Sequence, residues 1–91
     1  MDKYEEPESA FQFPCEFMIK IFGKASSQFE LEVLTIIRKH IQDLKENAIS
    51  CRPSKDGKYM ALTIKITAES KSQLDDIYRD LSSNPHVLMA L

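Results

Sequence analysis

Cysteine is scarce in this chain and unpatterned. Cys15 and Cys51 form no C-x-x-C pair and have no Cys/His spacing around them, so neither a metal site nor a disulfide framework is expected, and both thiols are expected to be reduced. Net positive charge is missing as well. Twelve Lys and Arg against 14 Asp and Glu give a formal charge of -2 and a pI near 5.6, which provides no overall basic field for a phosphate backbone. No apolar run approaches a membrane span, and the N-terminus carries Asp2, Glu5, Glu6 and Glu8 where a signal peptide would be apolar; a cytoplasmic protein is expected. Repeats and low-complexity segments are absent. At 91 residues and 43% hydrophobic content the chain can close one core, so function must sit on its surface.

Residues 1–10 are acidic, contain Pro7 and lack periodicity, which reads as a flexible tail ahead of one domain spanning 11–91. From Glu16 the run Phe17, Met18, Ile19, Lys20, Ile21, Phe22 alternates as a strand that Gly23 ends or bends. Ser27 and Glu30 have capping-box spacing, and Phe29, Val33, Ile36, Ile37, Ile41 and Leu44 recur at helical steps up to Asn47. A short strand over 48–53 follows. Asp56-Gly57 marks a turn, and Met60, Leu62, Ile64 and Ile66 alternate with Tyr59, Ala61, Thr63, Lys65 and Thr67 in the next strand. Matching the parities places Cys51 opposite Leu62 and Ile49 opposite Ile64, which requires an even loop. Pro53 cannot serve a hydrogen-bonded ladder site, so the loop should have four residues, 55–58, with Pro53 on an edge strand. Ser70 to Gln73 is a second capping box, Leu74, Ile77, Tyr78 and Leu81 make a second helix stopped at Asn84-Pro85, and 86–91 form a last strand.

The order strand, helix, strand, strand, helix, strand predicts an α+β ferredoxin-like βαββαβ sandwich: a four-stranded antiparallel sheet in the order 4-1-3-2 with both helices on one face. The open face should then carry Met18, Lys20, Phe22, Ser50, Arg52, Tyr59, Ala61, Thr63, Lys65, Leu88 and Ala90. Met18, Phe22 and Leu88 are expected to form an apolar patch there, covered by the N-terminal segment, by a second copy or by a ligand. Arg52, Lys20 and Lys65 are better explained by solvation and protection of the sheet edge than by an anion site. RNA recognition motifs share this topology, but only Phe22 and Tyr59 are available for stacking, which weighs against nucleic acid.

Catalysis has little to stand on. His40 lies at the margin of the first helix's apolar stripe, near its C-terminal end, as a boundary or dipole-compensating residue. Asp75 and Asp76 are consecutive on a helix and diverge. Cys51 has core parity and reads as a small hydrophobe, whereas Cys15 is expected to be the more exposed thiol, without an activating base. Strand 3 separates their strands by ~9.5 Å, too far for a bridge.

Three segments coincide in pattern: Phe13-Pro14-Cys15-Glu16-Phe17 leading to Lys20-Ile21-Phe22-Gly23, then Arg52-Pro53-Ser54-Lys55-Asp56-Gly57-Lys58-Tyr59, then Val87-Leu88-Met89-Ala90-Leu91. Together they resemble the YbeD family of small bacterial proteins, most specifically in Pro53, Ser54, Gly57 and Tyr59. Lys55 stands where the family usually has a second serine. The resemblance implies an ACT-like fold and a non-enzymatic regulatory role linked to lipoate metabolism, with no catalytic residues to carry over. The expected binding residues are Lys20, Arg52, Ser54, Gly57 and Tyr59, facing a small acidic ligand or a partner protein, with a homo-oligomer as a further expectation. No cofactor and no metal are expected, and a nucleic-acid-binding module on the same sheet face is the alternative.

Overall fold

The structure, a computed structural model, describes residues 12–91; the expected acidic tail over residues 1–10 lies outside them. Alternation of apolar and polar residues produces the strands β1 (Cys15–Lys24), β2 (Ile49–Pro53), β3 (Tyr59–Ala68) and β4 (Val87–Ala90), and the two helical stripes produce α1 (Ser27–His40) and α2 (Lys71–Ser82). The strands form one sheet in the order β2-β3-β1-β4, with all three pairings antiparallel. That is the ferredoxin-like order derived from the sequence.

The strands β1, β2 and β3 pair where their parities demand. Ile19 faces Ile64 and Ile21 faces Leu62 across β1 and β3, and Ile49 faces Ile64 and Cys51 faces Leu62 across β2 and β3. Ile19, Ile21, Leu62 and Ile64 are wholly buried beneath Phe29, Val33 and Ile37 of α1 and Ile77 and Leu81 of α2. No charged or polar residue is buried among the described residues, so the core is held by apolar contact and closed ladders alone.

The helices differ from expectation in detail. Ser26, not Ser27, caps α1: its hydroxyl accepts from the Phe29 N–H at 3.0 Å, and Ser27 is already helical. The expected end at Asn47 is also corrected. Ile41 adopts extended backbone, α1 stops at His40, and Leu44 packs on the core from the loop before a 3-10 turn, Glu46–Ala48. Gln73 supplies a reason, because its amide donates to the otherwise open His40 carbonyl at 3.1 Å. Ser70 caps α2 as expected, accepting from the Gln73 N–H. The Gln73 side chain accepts from Glu69 N–H rather than from the cap's own.

Gly23 neither ends nor interrupts β1. It is buried within the strand, where a Cβ would lie 2.5 Å from Phe29 Cδ1 and 2.6 Å from the His86 carbonyl oxygen. At this point β4 carries an irregularity: Phe22 pairs with Met89 but Gly23 with Val87, leaving Leu88 as the extra residue. The bulge overturns one expectation about faces. Ala90 pairs with buried Ile21 and packs against the core, while Met89 and Leu91 join Leu88 on the exposed side. The last strand begins at Val87, because Asn84 holds the preceding turn through the His86 and Val87 N–H groups.

The helix layer leaves the outer part of β2 bare. Cys51 and Pro53 have core parity yet are exposed, and only Ile49 is partly covered. Cys51 is therefore the exposed thiol, and Cys15, half-buried against the core, the sheltered one, the reverse of the reading from parity. Parity names a face; it does not say how far the opposite layer extends.

Candidate functional site

The site begins at the β2–β3 turn. The loop is residues 55–58, as the position of Pro53 required: Ser54 N–H donates to the Tyr59 carbonyl at 2.8 Å, and Pro53 faces Met60 at a site that needs no N–H from it. Asp56 organises the tip. Its carboxylate accepts from the Ser54 hydroxyl at 2.8 Å and from Lys58 N–H at 3.0 Å, and these two bonds hold its pKa below the ordinary aspartate value, Lys58 N–H contributing most. The Ser54 hydroxyl also accepts from Tyr59 N–H at 3.1 Å. Gly57 takes φ +74, the left-handed conformation such a turn needs.

From this turn the open face extends across all four strands. The ladder aligns Arg52, Ala61, Phe22 and Met89 in one row, with Ser50, Thr63, Lys20 and Leu91 in the next. Two shallow hollows lie along these rows. One, of about 200 Å³, is lined by Arg52, Ser54, Tyr59 and Phe22; the other, of about 430 Å³, by Lys20, Arg52, Phe22 and Thr63. Phe22, Arg52 and Ala61 belong to both. The structure thus brings four of the five expected binding residues around one floor. Gly57 is the exception: nothing lies within 4 Å of where its Cβ would be, and its part is to shape the turn. Ser54 lines the smaller hollow, but its hydroxyl is already engaged on both sides by the turn.

The basic side chains on this face take part in no ion pair among the described residues. Among the described residues the ion pairs lie on the helices, Lys39 and His40 with Asp80, Lys71 with Asp75 and Arg79 with Asp76; none involves Lys20, Lys24, Arg52 or Lys65. Two polar clasps account for the remaining titratable candidates. His40 Nε2 lies 2.7 Å from Asp80, whose pKa is lowered chiefly by that bond and then by Lys39. Glu32 accepts from Asn84 at 3.0 Å and Gln28 at 2.8 Å, and both lower its pKa, Asn84 the more. These groups join α1 to α2 or cap a turn and lie in the helix layer, away from the open face. Sequence reasoning missed Met89 and Leu91 as open-face residues, and only recognition of the Leu88 bulge could have found them.

Comparison with known proteins fits this geometry. Residues 8–91 match the family described as "Protein of unknown function (DUF493)". A UPF0250 protein of Paraburkholderia phytofirmans is 42% identical over 84 residues, covering 92% of this chain and 94% of that one. One from Chromobacterium violaceum is 39% identical, covering 96% and 98%, and one from Neisseria gonorrhoeae is 37% identical over the whole of both chains. Among solved structures, the ACT domain of a GTP pyrophosphokinase from Chlorobium tepidum superposes with a TM-score of 0.61 at 19% identity, covering 84% of each chain. Protein HP0495 of H. pylori reaches 0.64 at 12% identity over 98% of each. At such identities these structures establish the ferredoxin-like, ACT-like fold alone. With curated relatives matched along nearly its full length, the chain belongs to the DUF493, or UPF0250, family, to which the YbeD-like segments in its sequence pointed.

Proposed function

We propose that this protein is a small, non-enzymatic regulatory or ligand-binding domain that holds an acidic small molecule on the open sheet face beside the β2–β3 hairpin. The observation that carries the reading is Arg52. It lines both hollows, adjoins an apolar floor made by Phe22 and Ala61, and has no carboxylate partner among the described residues. A guanidinium so placed offers a planar pair of donors to a carboxylate while the floor takes an apolar body. Lys20 reinforces the charge from the neighbouring row, and Tyr59, 46% exposed, closes the hairpin end.

A non-catalytic role is supported by where the titratable groups go. His40 is tied to Asp80, Asp75 and Asp76 pair with their own helix neighbours, and the hydroxyl that the hairpin sets against a carboxylate, Ser54 on Asp56, is held by the turn, accepting from Tyr59 N–H as well. The ACT-like fold is one that regulatory domains use, and no described helix is long and apolar enough to cross a membrane; an internal, cytoplasmic regulator agrees with both.

The test is a thermal-shift titration with a panel of small carboxylic acids, lipoate and amino acids among them. At least one acid should raise the melting temperature of the wild type. Arg52→Ala and Tyr59→Ala should leave the unliganded melting temperature within a degree or two, since both side chains are exposed, and abolish the shift. A shift that survives Arg52→Ala, or a panel without effect, overturns the reading. Tight, steeply salt-dependent binding of a generic oligonucleotide would favour a nucleic-acid module instead.

A further inference from the structure

The larger hollow of the open face has a cation at two opposite corners. It spans two rows on three strands: Arg52, Ala61 and Phe22 in one, Ser50, Thr63 and Lys20 in the next. The middle positions explain why it is a hollow. Ala61 and Thr63 are small and half-buried, while Arg52 on β2 and Lys20 on β1 rise diagonally across them. Phe22 and Ser50 fill the other two corners, so the block is apolar on one flank and hydroxylated on the other.

The charge around it is lopsided. The parity of this face brings Lys20, Lys24, Arg52 and Lys65 to it but a single carboxylate, Glu16, two rows beyond Lys20. Neither β2 nor β4 contains an acidic residue. A monoacid leaves this arrangement half used. With its carboxylate on Arg52, an apolar chain crossing Ala61 ends against the Lys20 ammonium and the Thr63 hydroxyl, which it cannot satisfy.

We propose that the ligand of this site is a short dicarboxylate, with one carboxylate on Arg52 and the other on Lys20 and Thr63. The inference rests on the open face being a site for an acidic small molecule and narrows the class of acid. Arg52 offers paired donors to the first carboxylate, and Lys20 a compact charge to the second. The sheet sets the length between them. The two corners lie two strands apart, ~9.6 Å, and two residues along, ~6.8 Å, so their Cα atoms are ~12 Å apart. Side chains stand roughly perpendicular to a sheet, and the two cationic heads keep about that separation. With charge-assisted hydrogen bonds of ~2.8 Å, each carboxylate carbon lies roughly 3.5–4 Å from its cation, which leaves ~4–5 Å between the two carboxylate carbons. Three or four C–C bonds of ~1.5 Å cover that span, the length of a four- or five-carbon diacid. A hollow of about 430 Å³ has room for such a molecule with its bound water.

Isothermal titration calorimetry on the full chain at neutral pH, with straight-chain diacids of increasing length and monoacids of matching length, tests this. The four- and five-carbon diacids should bind at least fivefold more tightly than their monoacid counterparts, with affinity falling for longer and shorter chains. Lys20→Ala should weaken those diacids at least fivefold more than it weakens the monoacids, Lys20→Arg should restore most of the loss, and Arg52→Ala should weaken both classes. Lys24→Ala, outside the hollow, should change neither. Diacids no tighter than monoacids, affinity indifferent to length, or equal losses for both classes in Lys20→Ala would each overturn the proposal. Monoacid binding that still depends on Arg52 would then leave the broader reading of the face standing, whereas binding of neither class would remove both.

Discussion

Replacing Gly23 by alanine tests the packing beneath the sheet most directly. The added Cβ would lie 2.5 Å from Phe29 Cδ1, still closer to Cε1, and 2.6 Å from the His86 carbonyl oxygen. Carbon atoms pack best at about 3.5–4.0 Å, so the overlap is roughly 1 Å against the ring. The ring is 1% exposed and walled in by the core, and the second obstacle is backbone. Overpacking of this kind costs about 1–3 kcal/mol, and the smaller unfolded-state entropy of alanine returns about 0.4–1 kcal/mol. The net expectation is a loss of about 1–2 kcal/mol, or a fall in melting temperature on the order of 4–16 °C for a domain of this size. Urea unfolding followed by circular dichroism gives the number. Combining the change with Phe29→Leu, which removes part of the ring edge, should recover at least ~0.5 kcal/mol relative to additivity. If Gly23→Ala lost less than about 0.5 kcal/mol, or if the two changes were additive, Gly23 would not be the site of close approach described above.

Two further outcomes follow from local hydrogen bonds. Ser26→Ala should cost about 1 kcal/mol in urea unfolding because the Phe29 N–H loses its acceptor, whereas Ser27→Ala should fall within ~0.5 kcal/mol of wild type; the reverse ranking would restore Ser27 as the cap. Asp80 has its pKa lowered by His40 and Lys39, so its contribution is fully present above the ordinary aspartate value near ~4 and is lost as pH falls through the lowered value. Asp80→Asn should therefore flatten the acid side of the stability profile. Equal slopes for variant and wild type, read from urea midpoints, would show that the clasp does not stabilise the fold.

Much of the architecture was legible because period and turn chemistry agreed with each other. The parities of Ile49, Cys51, Leu62 and Ile64, joined to the demand of Pro53 for a site without an N–H, gave the hairpin register and the four-residue loop that the ladder shows. What the sequence hid were consequences of neighbours distant along the chain. Gly23 reads as a strand breaker until the Phe29 ring and the His86 carbonyl are seen to occupy its missing side chain. The end of α1 depends on Gln73, and the face of Ala90 on one extra residue in β4. Arg52, Tyr59 and Lys20 could be assigned to the open face from alternation alone. That Arg52 lines two hollows at once, and that Cys51 lies beyond the cover of the helices, depends on the extent of layers that no local pattern encodes.

The bare outer side of β2 separates two properties that most small domains must trade against each other. The residues that hold the molecule together lie in β1, β3 and the helices, while the hairpin projects with Cys51, Arg52 and Pro53 exposed. Substitutions around the tip are therefore released from the selection that guards the core, provided the left-handed turn at Gly57 and the Asp56 bonds persist. The motif shared with the family at Pro53, Ser54, Gly57 and Tyr59 is therefore not explained by the core; what it serves is the turn's own hydrogen bonding and whatever the hairpin meets.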